Sequence, residues 1–119
     1  MQLCGTVIRG EGRGKDLGFP TANIETSDSI PDSGVYAGIA TIGTEQYLAA
    51  IHIGPRPTFD DLRPTLEAHL LDFSKDLYGK EVCIDIRQKL RGVKKFDTIE
   101  ALRQAIENDC AAVRKLLRT

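Results

Sequence analysis

Short strand-like segments separated by turn-forming residues constrain the fold of this chain more than any other feature. Residues 82–90 show the pattern best, because Val82, Ile84 and Ile86 alternate with polar neighbours, as in a strand with one buried face. Residues 43–45 have the composition of a hairpin turn. The predicted strands cover residues 3–8, 35–42, 46–53, 65–71 and 82–90, with a further extended segment around residues 21–23.

A single helix is predicted after these strands. Apolar residues recur at helical spacing at Ile99, Leu102, Ile106, Cys110, Val113 and Leu117. Asp97 and Glu100 have the spacing of a capping box at a helix start. Six short strands and one helix predict a mainly β fold, an antiparallel barrel with the C-terminal helix packed on it. An open sandwich is the alternative. Residues 1–119 are expected to form one domain.

The composition excludes several classes of function. The net charge is −1, aromatic residues make up 6% of the chain, and tryptophan is absent. A barrel that binds single-stranded nucleic acid needs a basic groove with stacking aromatics, so this chain is a poor match. The sequence has no apolar run long enough to span a bilayer and no signal-peptide pattern at its start. We therefore expect neither a nucleic-acid partner nor a membrane partner.

The three cysteines, Cys4, Cys83 and Cys110, are odd in number, far apart and without a CxxC pair. This spacing argues against a disulfide framework or a zinc site. We expect buried thiols at all three positions, which fits a protein of the reducing cytoplasm.

A glycine-rich loop is the first candidate for ligand binding. Its glycines allow a backbone to approach a ligand closely, and successive N–H groups in such turns can form an anion-binding concavity. The loop is neither a Walker A sequence nor a clean dinucleotide fingerprint, and a tight surface loop is the alternative interpretation. The residues concerned are Gly10, Gly12, Gly14 and Gly18, with positive charge from Arg9, Arg13 and Lys15.

Thr21 and Asn23 follow this loop directly after Pro20. In an extended segment, side chains two residues apart point to the same face, so the two side chains present neutral oxygens side by side. Mg²⁺ prefers oxygen ligands and is usually shared with substrate phosphates. The pattern predicts a magnesium nucleotide site, with Thr21 and Asn23 as metal ligands.

A second polar cluster lies at Glu67 and His69, which alternate with Leu66, Ala68 and Leu70. If the apolar residues face the core, Glu67 and His69 face solvent or a cleft. Glu67 is a candidate general base that takes a proton from an attacking hydroxyl. A solvated strand face is the alternative for this cluster. For His69, and for His52 in an apolar strand, a packing or hydrogen-bonding role is the simpler interpretation.

Taken together, these segments resemble the riboflavin kinase (flavokinase) family, including the C-terminal kinase module of bacterial bifunctional riboflavin kinase/FAD synthetases. The resemblance spans nearly the whole chain, and the combination is specific although several pieces are weak alone. The matching stretches are residues 5–7, 14–23, 31–38, 53–59, 67–73, 76–79, 90–91 and 95–97.

The resemblance implies a six-stranded Greek-key barrel and transfer of the γ-phosphoryl group of ATP to the 5′-hydroxyl of riboflavin, giving FMN and ADP. It implies that Thr21 and Asn23 bind Mg²⁺ and the phosphates and that Glu67 is the catalytic carboxylate. Arg91 lies in a loop that resembles a flap near the flavin, where it would approach substrate or phosphate. The glycine-rich loop would cover the nucleotide through Gly10, Gly12, Arg13, Gly14, Lys15, Gly18 and Pro20.

Two positions depart from the family pattern. Lys15 stands where the family more often has arginine, which replaces a bidentate phosphate contact with a point charge. His52 stands where a small polar residue is common. Thr21, Asn23 and Glu67 are retained, so we expect an active enzyme. A non-catalytic flavin- or nucleotide-binding module is the alternative from another class.

The chain carries no adenylyltransferase module, so we expect it to make FMN but not FAD. It would be either a free-standing kinase or an excised module, with the FAD-synthetase module fused or separate. We expect a monomer that acts on small molecules.

Overall fold

The computed structural model describes residues 1–8, 21–54, 64–73 and 76–117. Within these described ranges, six strands precede one helix, as predicted. The hairpin turn between the third and fourth strands contains Gly43 with a positive φ of 63°, a conformation that favours glycine. The elements are β1 (Gln2–Ile8), β2 (Thr21–Glu25), β3 (Gly34–Ile42), β4 (Glu45–Ile53), β5 (Leu66–Leu70), β6 (Glu81–Arg91) and α1 (Ile99–Leu117).

The strands form a closed barrel in the order β1-β2-β5-β4-β3-β6. Every neighbouring pair is antiparallel. Strands β3, β4 and β5 follow one another in space, and β6 returns to lie beside β3, which is a Greek-key arrangement. The mainly β barrel with a C-terminal helix is therefore confirmed, and the open sandwich is wrong because β6 also pairs with β1.

The barrel interior is filled by every second residue of the strands. Val82, Ile84 and Ile86 are buried there, as their alternation predicts. Two glycines allow neighbouring strands to approach closely, since a Cβ on Gly5 would overlap the backbone of Glu25 and one on Gly38 would lie 2.8 Å from the carbonyl oxygen of Asp85. Closure of the barrel thus depends on the missing side chains at these two positions.

Helix α1 packs on the outside of β3 and β4, where the outward-facing residues are small. Val113 is buried against Ala37 and Ala50, with Cys110 and Leu117 packed at the edge of this cluster. Because alanine leaves room above the sheet, the helix can lie close to the strands. Among the described residues, no helix is long and apolar enough to cross a membrane.

The N-cap of the helix lies one residue after the predicted capping residue. The Ala101 N–H donates to Thr98 Oγ1 at 3.0 Å, so Thr98 is the N-cap residue. The prediction of Asp97 as the capping residue is wrong, because two neighbouring residues with capping side chains satisfy nearly the same sequence pattern. Ile99, predicted on the apolar face, is 73% exposed, so the apolar face is not buried at the first residue of the helix.

The expectation of buried thiols is wrong for Cys4 and Cys83, which form a disulfide with Cα atoms 4.0 Å apart. They are direct neighbours across β1 and β6. The Cys4 N–H donates to Asp28 and its carbonyl accepts from the Thr26 hydroxyl, so backbone groups of Cys4 bond away from β6. Side chains approach most closely in such non-hydrogen-bonded pairs. Spacing along the chain concealed this contact, because barrel closure brings together residues 79 positions apart.

We predict that reduction of this disulfide lowers the free energy of unfolding. Because the bond closes a long loop in the unfolded chain, the loss should be about 2–5 kcal/mol. Urea unfolding with and without a thiol reductant measures it. Cys110→Ser should keep the full effect of the reductant, whereas Cys4→Ser should abolish it. An equal response to reductant in all three proteins would contradict a bond between Cys4 and Cys83.

Candidate active site

Two rows of side chains cross β2, β5 and β4 on the outer face of the barrel. In the first row Thr21 lies opposite His69, and in the second Asn23 lies opposite Glu67. His52 of β4 continues the second row, because it pairs with Glu67 from the other side. Their strand neighbours, such as Ala22, Ala68 and Ile51, fill the barrel core. We call Thr21–His69 and Asn23–Glu67–His52 the two polar rows.

This arrangement brings together the three residues predicted to carry the chemistry. Thr21 and Asn23 share one face of β2, as their spacing predicts, and Glu67 lies directly opposite Asn23. All three side chains are half-buried, so they are neither in the core nor fully solvated. Two neutral oxygens and a carboxylate therefore face the same space, although they are separated by more than forty residues of sequence.

His69 forms the other member of the first row. Its Nδ1 lies 3.0 Å from Thr21 Oγ1, which is a hydrogen-bond distance. Burial, and to a lesser extent His52, lower the pKa of His69 to about 4, while Asp109 of α1 opposes the change. The imidazole is therefore neutral at pH 7, with one nitrogen that accepts a hydrogen bond and one that donates.

His52 has an unusual environment for a polar side chain. Its Nδ1 is buried and has no hydrogen-bond partner among the described residues. A buried polar atom without a partner is costly, and such atoms often mark places where a ligand or water binds. His52, which departs from the family pattern, is also the direct neighbour of Glu67 across the β4–β5 pair.

Arg91 ends β6 and contacts α1. Its Nε and Nη2 donate to the two carboxylate oxygens of Asp109 at 3.0 and 2.8 Å, and its guanidinium lies 5.7 Å from the centre of the Phe96 ring. The pair is largely sheltered, with the Asp109 side chain 11% exposed. Arg91 therefore ties the segment after β6 to the helix, and its role towards substrate or phosphate stays a prediction.

Asp109 was not identified from the sequence. It lies three residues after Ile106 and four before Val113, and all three are buried. An acidic residue on the apolar face of an amphipathic helix needs a partner. The position of Asp109 on that face could therefore have indicated a buried ion pair from the sequence alone. The partner, Arg91, could not be identified without the packing of α1 against the barrel.

A cavity of about 680 Å³ opens beside the second polar row. Asn23 lines it, together with residues of the loop after β2 and the start of β5. Its volume falls within the range of small-molecule sites, roughly 300–1,000 Å³. Thr26 connects its wall to β1 through the hydrogen bond to the Cys4 carbonyl.

The predicted glycine-rich loop lies outside the described residues, as do Arg13, Lys15 and Pro20. In the described part of the chain, no group of three or more His, Cys, Asp or Glu side chains could hold a metal ion. The oxygen donors of Thr21 and Asn23 suit Mg²⁺ that arrives with phosphate oxygens, because this ion is seldom held by protein ligands alone. The residues present therefore fit a magnesium nucleotide better than a resident metal ion.

Comparison with protein families gives one match over almost the whole chain. The flavokinase family model, described as riboflavin kinase, matches residues 1–117. Among solved structures, riboflavin kinase from Trypanosoma brucei superposes with a TM-score of 0.68 at 27% identity, over 99% of this chain and 80% of that one.

Two curated relatives come from Bacillus subtilis. An RNA-binding riboflavin kinase is 38% identical over 95% of this chain and 50% of its own length. A bifunctional riboflavin kinase/FMN adenylyltransferase is 39% identical over 88% of this chain and 35% of its own length. The chain thus spans about a third of the length of one of these two curated relatives and half the length of the other.

The low pKa of His69 makes stability depend on pH. Below pH 6.5 the unfolded ring takes up a proton, but the folded ring stays neutral down to about pH 4, so the free energy of unfolding should fall as the pH falls through this interval. The two pKa values correspond to roughly 3 kcal/mol. Denaturant unfolding at several pH values, without magnesium or nucleotide, measures the loss. His69→Leu should remove this contribution to the pH dependence of the free energy of unfolding. An unchanged pH dependence in that variant would contradict the low pKa of His69.

Proposed function

Because the chain belongs to the riboflavin kinase family, we propose that it transfers the γ-phosphoryl group of ATP to the 5′-hydroxyl of riboflavin, giving FMN and ADP. The observation that carries the proposal is the second polar row. It places Glu67 opposite Asn23, on the strand face that also carries Thr21. Phosphoryl transfer needs charge neutralisation, positioning and a group that orients the nucleophile, and these residues supply a candidate for each.

Glu67 acts as the general base in this reaction. Its carboxylate accepts the proton of the riboflavin 5′-hydroxyl as that oxygen forms a bond to the γ-phosphorus. The bond between the γ-phosphorus and the β–γ bridging oxygen breaks, and ADP leaves with that oxygen. The proton stays on Glu67 until it is lost to solvent, so one phosphoryl group and one proton are transferred in each cycle.

Thr21 and Asn23 bind the magnesium nucleotide through their side-chain oxygens. When bound, Mg²⁺ neutralises charge on the phosphates. The backbone of both residues is held by the pairing of β2 with β5, so they meet the nucleotide without rearrangement of the strand. A site preorganised in this way lowers the cost of binding.

The remaining predicted residues have supporting roles in this proposal. The glycine-rich loop, through Gly10, Gly12, Arg13, Gly14, Lys15, Gly18 and Pro20, covers the nucleotide phosphates. The cavity beside Asn23 has room for the non-reacting part of a substrate. Arg91, held by Asp109, orders the segment that follows β6 near the substrates.

The setting of the enzyme is also part of the proposal. We place it in the cytoplasm, where ATP is abundant, as a monomer. In a reducing compartment Cys4 and Cys83 would be thiols, so the proposal requires the enzyme to act without the disulfide that the structure contains. The match to a bifunctional relative supports cooperation with an adenylyltransferase module, fused or separate, that converts FMN to FAD.

Removal of the proposed base tests the reaction directly. Glu67→Gln should reduce the rate of FMN formation by about 10²–10⁴-fold, because the amide cannot accept the hydroxyl proton. Purified protein is incubated with riboflavin, ATP and Mg²⁺, and the flavins are separated by chromatography. Glu81→Gln, at an exposed position on β6, is the matched control. No FMN from the unsubstituted protein, with riboflavin still bound, would favour the non-catalytic flavin-binding alternative.

The magnesium assignment gives a separate prediction. Thr21→Ala or Asn23→Ala should raise the Mg²⁺ concentration needed for half-maximal activity by at least about tenfold, since each removes an oxygen ligand. Titration of Mg²⁺ at fixed ATP measures it. Thr41→Ala, on β3 away from the polar rows, controls for loss of a strand threonine. An unchanged Mg²⁺ requirement in both site variants would refute the assignment.

A further inference from the structure

The first polar row contains a contact that the reaction described above does not use. His69 Nδ1 lies 3.0 Å from Thr21 Oγ1, across the β2–β5 pair. The histidine backbone is fixed on its other side by pairing with Ala50 of β4. Ala50 is buried against Val113 of α1. His69 thus lies on a strand that is paired on both sides, and it contacts the hydroxyl of Thr21, which we propose binds the magnesium nucleotide.

The direction of this hydrogen bond decides what Thr21 can do. If the hydroxyl donates to Nδ1, its proton points towards the histidine and the oxygen acts elsewhere only through its lone pairs. If Nδ1–H donates to the hydroxyl instead, one lone pair is used and the hydroxyl proton must point elsewhere. The first arrangement suits a cation ligand better, because it leaves both lone pairs of the hydroxyl oxygen free and directs the hydroxyl proton at the histidine instead of at the cation.

We infer that His69 is a positioning residue, which accepts the Thr21 hydroxyl proton at Nδ1 and so presents Oγ1 as a ligand for the magnesium nucleotide. This inference rests on the proposed function of Thr21. Partners that orient a metal ligand in this way commonly contribute about 10–100-fold to metal affinity or activity. His69 acts through Thr21 and touches neither the transferred phosphoryl group nor the attacking hydroxyl.

A purely structural role makes different predictions from a positioning role. If His69 only fills space, His69→Leu should leave nucleotide binding unchanged. Both His69→Leu and His69→Asn should then alter only the free energy of unfolding. If His69 accepts a hydrogen bond, asparagine should work better than leucine, because its side-chain oxygen lies near the position of Nδ1. The comparison of His69→Asn with His69→Leu therefore separates the two roles.

The experiment measures ADP binding by calorimetry with Mg²⁺ and with a chelator. We expect His69→Leu to weaken ADP binding about tenfold in the presence of Mg²⁺ and to leave binding in chelator unchanged. His69→Asn should restore most of the affinity. In steady-state assays, His69→Leu should raise the KM for MgATP and leave the KM for riboflavin unchanged.

Two further measurements make the result decisive. In a Thr21→Ala background, His69→Leu should have no additional effect on Mg²⁺-dependent binding, because His69 acts only through the hydroxyl. In the unsubstituted protein, imidazole ¹⁵N chemical shifts should show an unprotonated Nδ1, a measurement that does not depend on the folding of any variant. A proton on Nδ1, or equal losses in the leucine and asparagine variants, would overturn the inference.

Failure of the inference can be distinguished from failure of the proposed function. If the unsubstituted protein forms FMN and binds ADP in a Mg²⁺-dependent manner, but His69→Leu behaves identically, only the positioning role is refuted. If the unsubstituted protein shows no Mg²⁺-dependent ADP binding, the role of Thr21 itself is refuted, and the inference fails with it.

Discussion

The register of β5 between β2 and β4 is the constraint on which the site depends. It places Glu67 between Asn23 and His52, and His69 beside Thr21. A shift of one residue in either pair would turn the polar side chains into the core and the apolar ones outwards. The apolar residues of β5, which cannot be exposed without a large loss of hydrophobic stabilisation, therefore hold Glu67 and His69 on the outer face.

The helix completes this arrangement from outside the barrel. Small residues on β3 and β4 let Val113 approach the strands, and the same helix brings Asp109 to Arg91. Asp109 also influences the pKa of His69, so one buried carboxylate acts electrostatically on the first polar row while it anchors the end of β6. The helix is thus more than a cover for apolar surface, because its buried carboxylate anchors Arg91 and lies close enough to His69 to affect its pKa.

The sequence predicted those parts of the structure that depend on local pattern. Alternation located β6 and the outward direction of Glu67, and helical spacing located the buried Val113. Contacts that depend on barrel closure were not accessible in this way: Cys4 meets Cys83 only because β1 pairs with β6, and Arg91 meets Asp109 only after α1 packs. The N-cap was misplaced because Asp97 and Thr98 both have capping side chains, and only the backbone geometry selects between them.

The construction of the second polar row has a consequence for how such a domain can evolve. Its three side chains come from three adjacent strands, whose separation is set by the backbone ladder at roughly 4.8 Å per strand. The backbone spacing between Asn23 and Glu67, the proposed magnesium ligand and the proposed base, is therefore set by strand pairing more than by any single core residue. Substitutions in the interior change how much of the protein is folded at a given temperature, but the folded molecules keep the same active-site dimensions. The core can drift in sequence while the chemistry on the outer face stays constant.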